Sequence, residues 1–323
     1  MQRGRLVAVT AGLFVASAFL IAIWYTAGKA QSELPALSNA AQRGDIVTAQ
    51  QLLAEGADPN GGDGQGPMPL ALAASAARLD MVRLLLDRGA DVNAGGGAAV
   101  FAGAYCPSPA VLELLLDHGA DPNAAVTVDR GNGASTTGHT PLMRASRLGR
   151  TANVRLLLGA GASVNTADGD GRTALHHAAS ASEAGAASAL IAAEAAIDAK
   201  DASGLTPLHL AREVELADLL LAHGAGVNVA TNRGWTPLMS ASLRGNADLV
   251  SLLLVRGAGA GAAGPNGWTA LHFAAAKGHV EVARLLLAAG ADVGVRNHAG
   301  MTPLALAKGA GVTALLREHG GAE

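Results

Sequence analysis

Aromatic residues are scarce in this chain: Phe, Trp and Tyr make up 3% of it, although half of its residues are apolar. A core without rings has to be built from Ala, Leu, Val and Gly packed at short range, which suits closely stacked helices better than a deep globular centre. Cysteine is nearly absent too. Cys106 stands alone, which excludes an intramolecular disulfide and a cysteine zinc site and says nothing of the redox compartment. No Asn begins an Asn-X-Ser/Thr sequon; that fact and the Ala/Gly richness favour a bacterial source. There is no Gly-x-x-x-x-Gly-Lys-Ser/Thr phosphate loop and no Gly-x-Ser-x-Gly nucleophile turn. A basic excess is missing as well. Without Arg3, Arg5 and Lys29 the remainder holds 20 basic against 26 acidic residues, the opposite of a nucleic-acid footprint.

Charge is also missing from Leu6 to Gly28. As a helix, Leu6–Ala27 would be ~33 Å long, enough to span a bilayer core. Arg3 and Arg5 precede it, and Trp24 and Tyr25 sit near its far end. The positive-inside rule then leaves the N-terminus in the cytoplasm and carries the rest across the inner membrane. Residues 1–30 therefore read as a retained transmembrane signal anchor or a cleaved signal peptide. The run is longer than a signal core, and Gly28-Lys29-Ala30 is a mediocre cleavage site. Residues 31–34 form a linker. Both readings place the body outside the cytoplasm, in a bacterial periplasm, either tethered by a single pass or exported.

Repetition dominates the rest. Thr173-Ala-Leu-His, Thr206-Pro-Leu-His and Thr269-Ala-Leu-His recur, with Thr140-Pro-Leu-Met, Thr236-Pro-Leu-Met and Thr302-Pro-Leu-Ala. The Thr positions are spaced by 33, 33, 30, 33 and 33 residues. Out of phase run Gly56-Ala-Asp-Pro-Asn, Gly89-Ala-Asp-Val-Asn, Gly119-Ala-Asp-Pro-Asn and Gly161-Ala-Ser-Val-Asn, and between the markers lie leucine triplets such as 84–86 and 285–287. Thr caps a helix and Pro suits its first position. A Gly such as Gly149, Gly245 or Gly278 ends it, and a second helix buries Val282, Leu285 and Leu286. A Gly two residues before each new helix start (171, 204, 234, 267, 300) marks a tight hairpin.

Helix, turn, helix and hairpin with Thr-Pro-Leu-His resembles the ankyrin repeat. The resemblance covers residues 35–323 as nine repeats: 35–67, 68–97, 98–139, 140–172, 173–205, 206–235, 236–268, 269–301 and 302–323. It implies an all-α solenoid, here preceded by one hydrophobic helix, that holds a protein partner on its hairpins and first helices. Four places depart from the family pattern. Repeat six lacks three residues around Arg212-Glu213-Val214, the hairpin into repeat three is Ala94-Gly-Gly-Gly97, and repeat seven ends in Gly257-Ala-Gly-Ala-Gly261. The join of repeats three and four is nine residues too long and reads as an extended hairpin over 124–138.

Enzymatic chemistry finds no foothold, because an enzyme would need a site outside repeats that account for nearly all of 35–323. His176, His209 and His272 are the family's helix-start histidines, which support the hairpins. His118, His223 and His319 precede a helix-ending Gly, where the dipole favours a cation. Only His177 has no such role, and one side chain is not a metal site. Asp168-Gly-Asp-Gly171 lacks the remaining ligands of a calcium loop and reads as a hairpin. No catalytic residue, metal or cofactor is expected, nor a small-molecule substrate.

The partner-binding candidates stand directly before the helix-start Thr in successive repeats: Leu205, Trp235, Trp268 and Met301. Phe273 joins them one residue past His272. Trp is enriched at binding hot spots, although it also packs against neighbouring hairpins. Arg144 and Arg147, with Arg244 on repeat seven, form a second candidate patch, and His177 completes the set. The expected function is a membrane-tethered protein-interaction scaffold, contacting inner-membrane lipid through residues 6–27 and no nucleic acid. Its alternatives are an exported soluble adaptor, inhibitor or chaperone, lateral assembly of arrays, and, remotely, an enzyme.

Overall fold

Thr caps, Pro starts and left-handed Gly stops produce the expected helix pairs in this computed structural model, which describes residues 34–61, 68–129, 135–264 and 266–322. The chain divides into two bodies, Met1–His139 and Thr140–Glu323. The proposed span Leu6–Ala27 lies outside the described residues. Within them no helix is long and apolar enough to cross a membrane.

The N-terminal body contains α1 (Ala36–Arg43), α2 (Ile46–Ala54), α3 (Pro69–Ser75), α4 (Leu79–Asp87), α5 (Ala94–Gly103), α6 (Ala110–Asp117), β1 (Val126–Asp129) and β2 (Ser135–His139). First helices stack in order, α1 on α3 on α5, and second helices do the same, α2 on α4 on α6. The first residues of α5 are not helical. Gly95, Gly96 and Gly97 all have left-handed φ between 64° and 83°, so this run is the shortened hairpin, and only glycine tolerates three such residues together. β1 and β2 pair antiparallel, Val126 opposite His139 and Asp129 opposite Ser135. The overlong join is thus a small two-stranded ribbon, and the all-α expectation is corrected here. Extended Val-Thr-Val and Ser-Thr-Thr favour strand over helix. Cys106 is buried, its thiol donating to the Ala74 carbonyl at 2.9 Å.

The C-terminal body contains α7 (Pro141–Arg147), α8 (Thr151–Gly159), α9 (Ala174–Ala181), α10 (Ala184–Ala192), α11 (Pro207–Leu210), α12 (Val214–Ala222), α13 (Pro237–Arg244), α14 (Ala247–Val255), α15 (Ala270–Lys277), α16 (Val280–Ala288) and α17 (Ala310–Glu318). First helices α7, α9, α11, α13 and α15 pack in sequence, and so do second helices α8, α10, α12, α14, α16 and α17. Leu142, Leu175, Leu208, Leu238 and Leu271, each two residues past a helix-start Thr, are buried to within 2%. Of each leucine triplet only the middle member is fully enclosed: Leu157, Leu253 and Leu286 are buried, and their neighbours half-buried. Leu285 therefore lies at the edge of the face that Leu286 and Val282 fill.

Repeat nine departs from expectation. Pro303–Leu306 forms a turn and not an α-helix, with the Leu306 amide shared between the Thr302 and Pro303 carbonyls. Helix starts are eleven residues apart in repeats four, five, seven and eight, as from Thr269 to Val280. They are eight apart in repeat six (Thr206 to Val214) and repeat nine (Thr302 to Ala310). The same three-residue loss that cuts α11 to four residues leaves too little chain for a helix in repeat nine.

Candidate functional site

Four hairpins of the C-terminal body are closed by a side-chain keystone five residues before the helix-start Thr; before Thr269 that position is Gly264. The Oδ1 atom of Asp168 accepts from the amides of Asp170 and Arg172, both at 2.9 Å, and that of Asp201 from Ser203 and Leu205, both at 2.9 Å. Asn297 Oδ1 does the same for Ala299 and Met301, and Thr231 Oγ1 for Arg233 and Trp235. The keystone amide in turn bonds to the carbonyl directly before the Thr, as in Thr231 to Trp235. A glycine two residues before the Thr completes the turn. At Gly204, with φ 80°, a Cβ would also lie 2.5 Å from the Asn232 amide nitrogen of the next hairpin.

This geometry fixes the four residues before the Thr on one strip, where Leu205, Trp235, Trp268 and Met301 are all half-buried. The helix-start histidines hold the same strip from beneath. His209 Nδ1 accepts from the Thr206 amide at 3.1 Å, and its Nε2–H donates to the Trp235 carbonyl at 3.0 Å. His176 likewise reaches Leu205, and His272 reaches Met301. Burial pushes all three imidazoles below the ordinary value, consistent with the neutral ring that an accepting Nδ1 requires. The supporting role that the resemblance implied for these histidines is thus a bridge between consecutive repeats.

The three aromatics of this body form one cluster. Phe273 is 9% exposed and lies between the indoles, its ring centre 4.6 Å from that of Trp235 and 4.9 Å from that of Trp268. The rings are tilted by 30° and 36°. Phe273 is therefore the floor of the strip and not a free contact, while both tryptophans keep an open edge. Packing and presentation are combined in the same residues.

His177 is corrected. It is 6% exposed, and its Nε2 meets Asp168 Oδ2 at 2.9 Å. It braces the keystone that the sequence showed only as part of a turn, and it is not available to a partner. Arg144 and Arg147 lie half-buried on α7. Arg244 belongs elsewhere. Its guanidinium donates to the Ala211 carbonyl at 2.9 Å and the His209 carbonyl at 3.4 Å, and Asn246 Nδ2 donates to the Arg212 carbonyl at 2.7 Å. Repeat seven thereby satisfies carbonyls that the shortened α11 leaves without helical partners. His118, His223 and His319 each bond through Nδ1 to the carbonyl four residues back, at 2.8–2.9 Å, as helix-end donors.

Three recurring ties cross the junctions between repeats. One is the histidine bridge. Another is a side chain from the loop after a second helix: Asp198 to the Gly226 amide, and Asn228 to the Gly259 amide at 2.9 Å. The third joins hairpin to hairpin, Ala202 amide to Asp170 carbonyl and Asn232 amide to Ser203 carbonyl. The loop tie is present at five–six and six–seven, and the hairpin tie at four–five and five–six. At seven–eight Met239 and Gly261 lack the groups for the first two ties, while the His298 amide donates to the Asn266 carbonyl at 3.0 Å and His279 Nε2 to the Leu243 carbonyl at 3.3 Å. The Trp235–Phe273–Trp268 cluster spans that junction.

Sequence reasoning missed the keystones and the Arg244 clamp. The recurrence of Asp168, Asp201, Thr231 and Asn297 five residues before a helix-start Thr was the available signal for the first. The clamp had none, because it answers a deletion in a different repeat.

Comparison with known proteins agrees with this architecture. A family model described as ankyrin repeats (3 copies) matches residues 37–126, 142–230, 180–263, 212–297 and 251–323. The ankyrin repeat, SAM and basic leucine zipper domain-containing protein 1 of Ornithorhynchus anatinus is 35% identical over 130 residues, covering 38% of this chain and 26% of that protein. The 2-5A-dependent ribonuclease of Mus musculus is 52% identical over 56 residues, 17% of this chain and 8% of that one. The chain thus spans about a quarter or less of the curated relatives it matches. Among solved structures, the ankyrin repeat domain of Bcl-3, a member of the IkappaB protein family, is 29% identical with a TM-score of 0.54, covering 78% of this chain and 99% of that one. With paired helices and left-handed hairpin glycines repeated through both bodies, and helix-start histidines tying helix to hairpin in the C-terminal one, the chain belongs to the ankyrin repeat family.

Proposed function

We propose that this chain is a protein-interaction scaffold that takes its partner on the hairpin strip of the C-terminal body. The observation that carries this reading is the aromatic cluster: the body's only tryptophans, Trp235 and Trp268, stand half-exposed on a rigid floor supplied by Phe273. Tryptophan held in one conformation loses little entropy when a partner covers it, which is why such residues dominate interface energies. Leu205 and Met301 extend the strip to either side, and Arg144 and Arg147 offer a polar flank on α7. The reading requires no catalytic residue, cofactor or metal.

The uncharged run Leu6–Ala27 supports a second element of the proposal. It anchors the scaffold in the inner membrane and displays residues 35–323 on the non-cytoplasmic side, in a bacterial periplasm. The variant reading is a cleaved, exported adaptor, inhibitor or chaperone. Crosslinking in intact cells, comparing the parent with W235A/W268A, tests the scaffold: loss of the captured proteins at unchanged protein level is expected, and an identical capture profile would overturn it. The mature chain's mass and its partition between membrane and soluble fractions decide between anchor and cleaved signal.

A further inference from the structure

The C-terminal body sorts its charge by face. Its first helices α7, α9, α11, α13 and α15 carry Arg144, Arg147, Arg244 and Lys277 and no acid. Its second helices carry Glu215, Asp218, Asp248, Glu281 and Glu318 against Arg155, Arg284 and Arg317. The hairpins into repeats seven, eight and nine (229–235, 262–268 and 295–301) hold no acid either, but do hold Arg233 and Arg296. The keystone is acidic at Asp168 and Asp201, where His177 and Arg172 meet it. From repeat seven onward it is Thr231, Gly264 and Asn297. The first helices and hairpins that carry the aromatic cluster thus hold no acid; the nearest negative charge acts from the preceding hairpin, where Asp201 and Asp198 bear on His209 beneath Trp235.

Two cations flank the cluster. Arg233 precedes Trp235 by two residues at the hairpin tip, and Lys277 follows Phe273 by four on α15, one turn along the same helix face. Both are exposed, and among the described residues no ion pair or side-chain hydrogen bond engages either of them. Resting on the interaction strip proposed above, we infer that the strip around Trp235, Phe273 and Trp268 recognises an acidic protein segment that carries an aromatic or large apolar anchor. The anchor packs on the open indole edges, and flanking carboxylates pair with Arg233 and Lys277. Opposite charge around an apolar centre speeds encounter and fixes register, while the anchor supplies most of the affinity.

A single-stranded nucleic acid also combines negative charge with flat rings, but it needs open aromatic faces for its bases. Here each indole has one side taken by Phe273, at 4.6 or 4.9 Å, and is half-buried, which leaves less open face than such stacking uses. The chain beyond residue 30 is also net acidic, contrary to the footprint such binding needs.

The test titrates the full chain into fluorescein-labelled random copolymers and follows anisotropy. A Glu/Tyr copolymer is expected to bind saturably and to weaken as salt rises. It should bind more tightly than polyglutamate and far more tightly than a Lys/Tyr copolymer. R233E/K277E should lose about tenfold in affinity for the Glu/Tyr copolymer with an unchanged melting temperature, both side chains being exposed. Equal binding of the Lys/Tyr copolymer, indifference to R233E/K277E, or tighter binding of oligouridylate would each overturn the inference. The scaffold reading fails separately: if W235A/W268A abolishes capture in cells and R233E/K277E leaves it intact, the strip stands and its acidic specificity falls.

Discussion

The guanidinium of Arg244 donates to the carbonyl of Ala211 at 2.9 Å, so a residue at the end of one repeat's first helix repairs the end of another's. Repeat six lost three residues and with them the turn that would have occupied these carbonyls. R244A should therefore destabilise the protein by about 1–2 kcal/mol, the scale of a charged donor to a backbone acceptor reduced for exposure. Thermal unfolding measures it. Unchanged stability would show that solvent serves the carbonyls equally well.

W235A/W268A removes both tilted contacts with Phe273, each of about 0.5–1.5 kcal/mol beyond burial. A modest fall in melting temperature is expected together with lost capture. L286A should behave in the opposite way, losing about 2–5 kcal/mol because Leu286 is fully buried, while the fraction still folded binds normally. Chemical denaturation paired with a binding assay separates the two.

His177 and Asp168 make a converse case. H177A removes the 2.9 Å imidazole hydrogen bond to the buried Asp168 carboxylate, so it should cost about 1.5–3 kcal/mol. It should leave the affinity of the folded protein for its partner unchanged. A selective loss of binding at unaltered stability would restore His177 to the interaction surface.

Stability should also depend on acid in a defined direction. Burial lowers the pKa of His176, His177, His209 and His272 below the ordinary imidazole value of 6.5. At His177 the Asp168 hydrogen bond opposes this without overcoming it. A base held below its unfolded value contributes full stability above about pH 6.5 and loses it as pH falls through the lowered folded values. The melting temperature is therefore expected to be flat above that pH and to decline beneath it. H209A should shallow the decline and disturb Trp235, whose carbonyl it holds. A melting temperature that rises on acidification would contradict this assignment.

Much of the architecture was legible because its determinants are local. Thr140 and Thr236 cap the helix they precede, Gly245 and Gly278 end theirs in left-handed geometry, and the period repeats them. The site was legible in part. Leu205, Trp235, Trp268 and Met301 all stand half-buried directly before a helix-start Thr, because a single hairpin geometry recurs. What that position could not show was Phe273 seated between two indoles from successive hairpins, which requires the stacking distance between repeats. His177 was misplaced for the same reason: its partner, Asp168, lies nine residues back across a turn. Repeat nine differs because the three-residue loss seen at Arg212 recurs after Thr302, and a Thr-Pro-Leu start shows nothing of the chain length that follows it.

The seven–eight junction has a further consequence. A stack of repeats unfolds as one cooperative unit only while every neighbouring pair is coupled more strongly than its members are individually unstable. Met239 and Gly261 leave this junction without two of the polar couplings found elsewhere, and the apolar contact of Trp235 and Trp268 with Phe273 joins the bond from His279 to the Leu243 carbonyl in their place. Repeats eight and nine are then set to exchange their amide protons as a separate, earlier group. A partner lying across both indoles would bridge the junction, so occupancy would be read out as a merging of two unfolding transitions into one.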